Sequence, residues 1–332
     1  MIEKLLREAL QNKVSDIHIT SNEKIAFRSK KKIETLDYKV SEEDVMELAK
    51  KLAGSKHEQF LEDKQIDVGG EISGVRYRAN IFYERGGIAI AIRIIDNEIK
   101  SVYDLSLPPL LFELIKKPHG LIIVTGPTGS GKSTTLAAMI NEINKDFSKH
   151  IVTIEDPIEY NFTNQKSIIH QREIGTDVNS FSDGLRSVLR QDPDVIMIGE
   201  LRDKRTIETA LKASETGHLV LTTLHTSDAK STINRMTGVF QAEDAVRIRS
   251  LLGDSLIAII SQKLIRRADN SGVIPAFEIL MNTTATSNLI KKGEVAQIDS
   301  YLLMDQRIGS IPMSKSIETL VKKRIINESD VN

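Results

Sequence analysis

The ten residues GPTGSGKSTT, Gly126 to Thr135, constrain this chain more than any other stretch. From Gly126 to Ser133 they match G-x-x-x-x-G-K-S in full. A loop of this kind needs a strand before it and a helix after it. The apolar run Leu121 to Val124 and the helical pattern from Lys132 supply both. Gly126 and Gly131 let the backbone curl so that consecutive N–H groups face phosphate oxygens. Lys132 reaches the β- and γ-phosphates, the Ser133 hydroxyl ligates Mg²⁺, and the helix that starts here adds its positive end.

Around that loop the chain divides by pattern. Ile2, Leu5, Leu6 and Leu10 recur at helical spacing, and Asp16 to Ile19 alternates like a strand. Ser41 with Glu42, Glu43 and Asp44 behind it marks a helix start, running to Leu52. Val75 to Asn80 and Ile88 to Ile95 read as strands joined by a turn at Arg85–Gly86–Gly87. These elements predict a small α+β domain over residues 1–97. A linker follows over residues 98–110, with Pro108 and Pro109 in it. From residue 111 to 332, short apolar runs alternate with helical patterns, at Leu121 to Val124, Ile151 to Ile154, Val195 to Ile198 and Leu219 to Leu224. That alternation predicts an α/β domain, a parallel sheet covered on both faces. The end, from Ile274, reads as a mixed strand and helical subdomain.

Composition narrows the function. A net charge of -1 over 332 residues gives no global attraction to nucleic acid or to an anionic membrane. The chain has no cysteine, which excludes disulfides, a zinc ribbon and a thiol nucleophile, and fits a reducing compartment. The N-terminal residues MIEKLLREAL mix charges into apolar positions, unlike a signal peptide. No apolar run approaches the ~18 residues of a spanning helix, so no direct membrane insertion is expected. The absence of tryptophan argues against a stacking platform for single strands.

Three further segments carry chemistry. Val195 to Ile198 leads into Gly199-Glu200, an acid at a strand's C-terminal edge, where α/β sheets bind ligands. It looks like a Walker B strand, with Glu200 beside Mg²⁺ and its water. A core strand ending in a solvated glutamate would read the same if it stood alone. Ile154-Glu155-Asp156-Pro157-Ile158-Glu159 is a second strand ending in acids. Together with Glu200 these carboxylates exceed what metal ligation needs, which leaves one to polarise an attacking water. Finally, His218 and His225 flank a strand. His225 stands at its C-terminal end, which suits a γ-phosphate contact or sensor, and His218 at the other, which suits a structural role.

In this order GPTGSGKST, IEDPIEY, GELRD and TGHLVLTTLHT resemble the Walker A, Asp box, Walker B and His box of the secretion ATPase superfamily. These are hexameric motors of type II and type IV secretion and of type IV pili. Within it the chain is most similar to the pilus retraction ATPases of twitching motility. SDIHIT, QREIGTDVNSFSDGLRSVLRQDPDVIMIGELRD and SLLGDSLIAIISQKLIRR extend the similarity over nearly the whole length. The resemblance implies a PAS-like N-terminal domain and a RecA-like P-loop ATPase domain. It implies that Gly126, Pro127, Thr128, Gly129, Ser130, Gly131, Lys132, Ser133 and Thr134 bind ATP, with Ser133 and Glu200 on Mg²⁺. It also implies Glu159 as general base, Glu200 as the Walker B acid, His225 as the His-box contact, and Arg78 and Arg93 against the γ-phosphate. Arg85, in the turn, is left without an assigned role.

The implied protein is a cytoplasmic homohexamer at the inner face of the inner membrane. It would turn a pilus platform protein and withdraw pilin. Extension and secretion ATPases of the superfamily commonly carry a further N-terminal domain and a four-cysteine insertion, for which this sequence has no room. An accessory retraction paralogue, a nucleotide-binding assembly factor without turnover and a nucleic-acid motor are the other readings. The complete motif set argues against the second of these, and the near-neutral charge against the third. Two segments depart from the retraction pattern. Ala285 to Lys292, ATSNLIKK, keeps Asn-Leu-Ile but has Ser287 and Lys291 where arginines are usual. Ile25 to Glu34 lacks the usual prolines and carries Lys30, Lys31 and Lys32.

Overall fold

The computed structural model describes residues 2–12, 14–29, 32–95, 99–304 and 308–331. Lys30 and Lys31, and residues 96–98 at the expected domain boundary, lie outside them. The chain forms two compact units, residues 1–98 and 99–332.

The first unit runs α1 (Ile2–Gln11), β1 (Asp16–Thr20), β2 (Lys24–Ser29), β3 (Lys32–Lys39), α2 (Glu42–Ala53), α3 (His57–Asp63), β4 (Gln65–Ile72), β5 (Val75–Glu84) and β6 (Gly87–Ile95). The strands form an antiparallel sheet in the order β3-β2-β1-β6-β5-β4. Period-two alternation decides which face is buried. On β5, Val75, Tyr77, Ala79 and Ile81 point into the core, and Arg76, Arg78 and Asn80 point away. Leu5 and Leu6 of α1, Val45 and Leu48 of α2 and Phe60 of α3 pack on the inner face. Ser41 caps α2 by accepting the Asp44 N–H at 3.1 Å, as its place in the sequence indicates. Arg85 and Gly86 both have positive φ, 49° and 86°, as the two-residue turn of a hairpin requires.

The second unit contains α4 (Leu110–Ile115), β7 (Gly120–Thr125), α5 (Lys132–Asp146), β8 (His150–Glu155), β9 (Ile168–Glu173), α6 (Phe181–Val188), β10 (Val195–Ile198), α7 (Lys204–Glu215), β11 (Leu219–Leu224), α8 (Ala229–Gly238), α9 (Ala242–Ser255), β12 (Leu256–Arg266), β13 (Val273–Met281), α10 (Thr284–Lys292), α11 (Ile298–Met304) and α12 (Met313–Lys322). Its sheet has the order β13-β12-β7-β11-β10-β8-β9, parallel except for β13 at one edge. Every residue of β7, β10 and β11 is buried, because helices cover both faces. Leu121 and Ile123 face one layer with α6 to α10, while Ile122 and Val124 face the other with α4 and α5. Doubly covered strands read as unbroken apolar runs, which is how they stand in the sequence.

The altered segment near the C-terminus forms α10, closed at its start by a capping box between Thr283 and Thr286. Lys291 pairs with Asp254 of α9. Gly253 lets the helices approach: a Cβ there would lie 2.9 Å from Lys291 Cγ and 3.0 Å from the Ser287 carbonyl oxygen. Lys291 therefore fastens α10 to α9 by a charged hydrogen bond to Asp254 and by its stem packed over Gly253, without the planar fork of an arginine.

Phe60 is wholly buried and stacks on Tyr83 with ring centroids 5.3 Å apart. Phe60→Ala is expected to destabilise the first unit by about 3–5 kcal/mol. Urea unfolding followed by tyrosine near-UV circular dichroism measures this, and a loss below about 1 kcal/mol would contradict the packing described.

Candidate active site

Four strand ends build the site. The pairing sets Thr125 opposite Leu224, and Ile198 opposite Thr222 and Ile154, so β7, β11, β10 and β8 end within two residues of one another at the C-terminal edge. The loops leaving those ends carry the P-loop, His225, Glu200 and Glu159. They line one cleft of about 480 Å³, within the range of small-molecule sites.

The loop itself is glycine-shaped. Gly126, Gly129 and Gly131 have φ of 149°, 78° and 86°. A Cβ on Gly126 would lie 2.4 Å from the Gln262 carbonyl oxygen and 2.5 Å from Ser130 Oγ, so no side chain fits there. Ser130 Oγ is buried without a hydrogen-bond partner among the described residues. Lys132 opens α5 and is buried; its Nζ donates to the carbonyls of Gly126 (2.8 Å) and Pro127 (3.1 Å). Burial pulls the Lys132 ammonium down, and the charges of Glu200 and Glu159 act against that. Ser133 lines the cleft, and Thr134 Oγ1 bonds Tyr160 Oη at 2.9 Å.

The acids differ by environment. Glu155, the last residue of β8, is buried and accepts from Thr153 Oγ1 at 2.7 Å, Gln171 Nε2 at 3.2 Å and the Glu159 N–H at 3.4 Å. Burial pushes the Glu155 carboxyl up, and these hydrogen bonds only partly offset it. Glu159 is exposed at the cleft, and its carboxylate has no hydrogen bond or ion pair among the described residues. Glu200 is engaged: Arg202 binds one oxygen, and His225 Nε2 lies 3.8 Å from the other. Arg202 also lies 3.8 Å from Asp156, which ties the β10 and β8 loops. His225 Nδ1 is 3.5 Å from Lys132 Nζ, and an ammonium only donates. A hydrogen bond there requires Nδ1 to accept, with the ring proton on Nε2, toward Glu200.

His218 lies at the other end of β11, with Nδ1 2.9 Å from the Ala213 carbonyl oxygen, where it closes α7. Arg78 and Arg93 lie on the first unit, directly opposite each other on β5 and β6. Arg93 Nε donates to Asp16 at 2.9 Å, and Arg28 is the next residue in the same cross-strand row. Arg93 and Ser15 hold the Asp16 carboxyl below its usual range, although burial opposes them. Arg85 projects from its turn, 3.9 Å from Glu84.

The profile of the family described as Type II/IV secretion system protein matches residues 1–316. The chain belongs to that family. Among similar proteins are a twitching motility protein of Neisseria gonorrhoeae, 44% identical over 268 residues, covering 80% of this chain and 72% of that protein. A type IV pilus retraction ATPase, PilT, of Pseudomonas aeruginosa is 42% identical over 274 residues, covering 82% of this chain and 78% of its own. A solved structure of the pilus retraction motor PilT with bound ADP superposes with a TM-score of 0.92 at 44% identity, covering 99% of this chain and 95% of that one. The fold class is accordingly that of this family: an α+β N-terminal part and a P-loop ATPase part.

Sequence reasoning missed the residues that hold the site from outside. Gln171 bonds Glu155, and it bonds the Tyr160 carbonyl at 2.8 Å and the Phe162 N–H at 2.9 Å, bracing the loop that carries Glu159. Gln262 braces the P-loop. An amide inside the apolar run LIAIISQKLI was the available signal for Gln262. Tyr160 and Arg202 stand inside the motifs IEDPIEY and GELRD, but the sequence assigned neither a role of its own.

The Glu155 environment has a pH signature. Between the ordinary glutamate value of 4.5 and its raised value, the folded chain keeps a proton that the unfolded chain has lost. Stability therefore falls as pH rises through that window. Glu155→Gln lacks this loss. Urea unfolding across pH 4.5 to 7 is expected to show the variant gaining on the parent, by about 1.4 kcal/mol per tenfold difference in proton affinity. A gap that stays constant with pH would contradict the burial argument.

Proposed function

We propose that this chain is a motor ATPase that hydrolyses ATP to power type IV pilus retraction. The observation that carries the reading is the convergence of a full P-loop with Glu159, Glu200 and His225 on one sheet edge, in a chain similar to pilus retraction ATPases over most of its length. The glycine arc and the unpartnered Ser130 hydroxyl suit a phosphate chain.

Mg²⁺ fits the residues present. Among the described residues no group of three or more His, Cys, Asp or Glu could hold a metal alone. Mg²⁺ typically takes one or two carboxylates and completes its shell with phosphates and water. Ser133 and Glu200 would hold it, and it would supply charge neutralisation on the phosphate oxygens.

The chain's own residues divide the remaining work. The P-loop N–H groups and Lys132 bind and orient the phosphates. Glu159, with its carboxylate unbound, takes the proton of the attacking water as the water oxygen bonds the γ-phosphorus and the β–γ bridge breaks. His225, with Nδ1 3.5 Å from Lys132 Nζ and Nε2 3.8 Å from Glu200, would contact the γ-phosphate. Arg78 and Arg93 would be delivered from the first unit of a neighbouring copy in a homohexamer. Their pairing supports this: like charges directly opposite on a sheet cost stability, and Asp16 offsets only one of them. Among the described residues no helix is long and apolar enough to cross a membrane. The motor would act from the cytoplasmic face of the inner membrane, on a pilus platform protein.

Lys132→Ala is expected to abolish ATP binding and turnover. Glu159→Gln should keep nucleotide binding and lower kcat at least about 100-fold. Phosphate release with Mg-ATP and titration of a fluorescent nucleotide measure both, and normal turnover in Glu159→Gln would remove the base assignment. Deleting the gene should leave cells with excess pili and no twitching; bald cells would overturn the retraction reading.

A further inference from the structure

We infer that Gln262 is a positioning residue for the P-loop, setting nucleotide affinity from behind the loop. This rests on the nucleotide-binding reading of the cleft. Gln262 lies on β12, the strand beside β7, and is 4% exposed. Its amide Nε2 donates to the Ser130 carbonyl at 2.6 Å, and its Oε1 accepts from Thr135 Oγ1 at 2.7 Å. A carbonyl only accepts, so the Ser130 bond fixes which end of the amide is nitrogen. The oxygen is then left for Thr135, in the first turn of α5.

The consequence follows from peptide planarity. In a trans peptide the C=O of one residue and the N–H of the next point in opposite directions. Gln262 draws the Ser130 carbonyl toward β12, which turns the Gly131 N–H the other way, to the side where Gly131 lines the cleft. An inward N–H is what an anion-binding backbone arc requires. Contact continues along the loop. A Cβ on Gly131 would lie 2.9 Å from Gln262 Nε2, and a Cβ on Gly126 would lie 2.4 Å from the Gln262 carbonyl oxygen. One residue thus touches the start of the loop, its apex and the helix that follows.

The variants are Gln262→Met, similar in length but without hydrogen bonds, and Gln262→Glu, which cannot donate to Ser130 when ionised. The readouts are the Kd for a fluorescent ADP analogue, KM and kcat for ATP, and the thermal midpoint without nucleotide. Gln262→Met should raise Kd and KM together about 10-fold or more, keep kcat at saturation within about 3-fold, and shift the nucleotide-free midpoint by only a few degrees. A bound buried amide of this kind contributes on that scale. Gln262→Glu should bind weakly at pH 8 and recover relative to the parent toward pH 5, as the protonated acid regains a donor. Unchanged Kd in folded Gln262→Met would overturn the inference, as would Gln262→Glu without pH-dependent recovery. If Gln262→Met does not fold, Thr135→Val removes one of the two bonds and should raise Kd by a smaller factor; no rise there also overturns it. Failure of the hydrolysis reading would show separately, as a parent protein that binds ADP and releases no phosphate.

Discussion

The parallel ladder through β7, β11, β10 and β8 is the constraint on which the rest depends. Its register brings four strand ends within two residues of one another, and each end releases the chain into a loop that lines the cleft. A slip of one residue on β10 would turn Ile196 and Ile198 away from their layer and carry Glu200 with them. The ladder is held by burial on both faces, with Leu121, Ile123, Val152 and Val220 in one layer and Ile122, Val124, Ile151 and Leu221 in the other. Precision at the cleft therefore rests on core packing, to which the cleft-lining Leu136, Phe181 and Met197 also belong.

What could be read in advance follows the same physics. Buried strands announce themselves as apolar runs, and the P-loop by glycines whose φ only glycine takes easily. Edge elements carry no such mark. β3, KIETLDYK, is exposed along nearly its whole length, and β9 pairs on one side only, so neither shows a hydrophobic period. α3 has a single buried side chain, Phe60. The acids of the site were visible as residue types, but the difference between Glu155 and Glu159 was not. Burial and three hydrogen bonds separate two carboxylates four positions apart, and both are properties of the folded neighbourhood. Arg202 is a similar case, since only the turn after β10 lays it across Glu200 and Asp156.

Neutral amides recur where the site must hold still. Gln171 braces the loop after β8, and Asn144 donates to the Thr163 carbonyl and accepts the Gln165 N–H further along that loop. Gln262 occupies the matching place behind the P-loop. An amide both donates and accepts, so it satisfies irregular backbone without adding charge to a cleft already rich in carboxylates. A lysine or glutamate in any of these places would answer only half of the backbone's demand and would shift the charge around Lys132.

That charge balance bears on the role proposed for the first unit. Lys132 is the one lysine or arginine lining the cleft among the described residues, and Glu155, Asp156, Glu159 and Glu200 surround it. Arg202, on the loop after β10, is already engaged by Glu200 and Asp156. Phosphoryl transfer spreads negative charge over the γ-phosphate oxygens and the leaving oxygen, and an arginine commonly joins the lysine and Mg²⁺ in stabilising it. The first unit holds a surplus of that kind in the row Arg28, Asp16, Arg93 and Arg78, three guanidinium groups with one carboxylate among them. The arginine row of the first unit and the carboxylate-lined cleft of the second are thus opposite in sign. In the proposed ring, hydrolysis would then wait for the arginines to arrive, and this dependence would let a chemical step follow a domain movement.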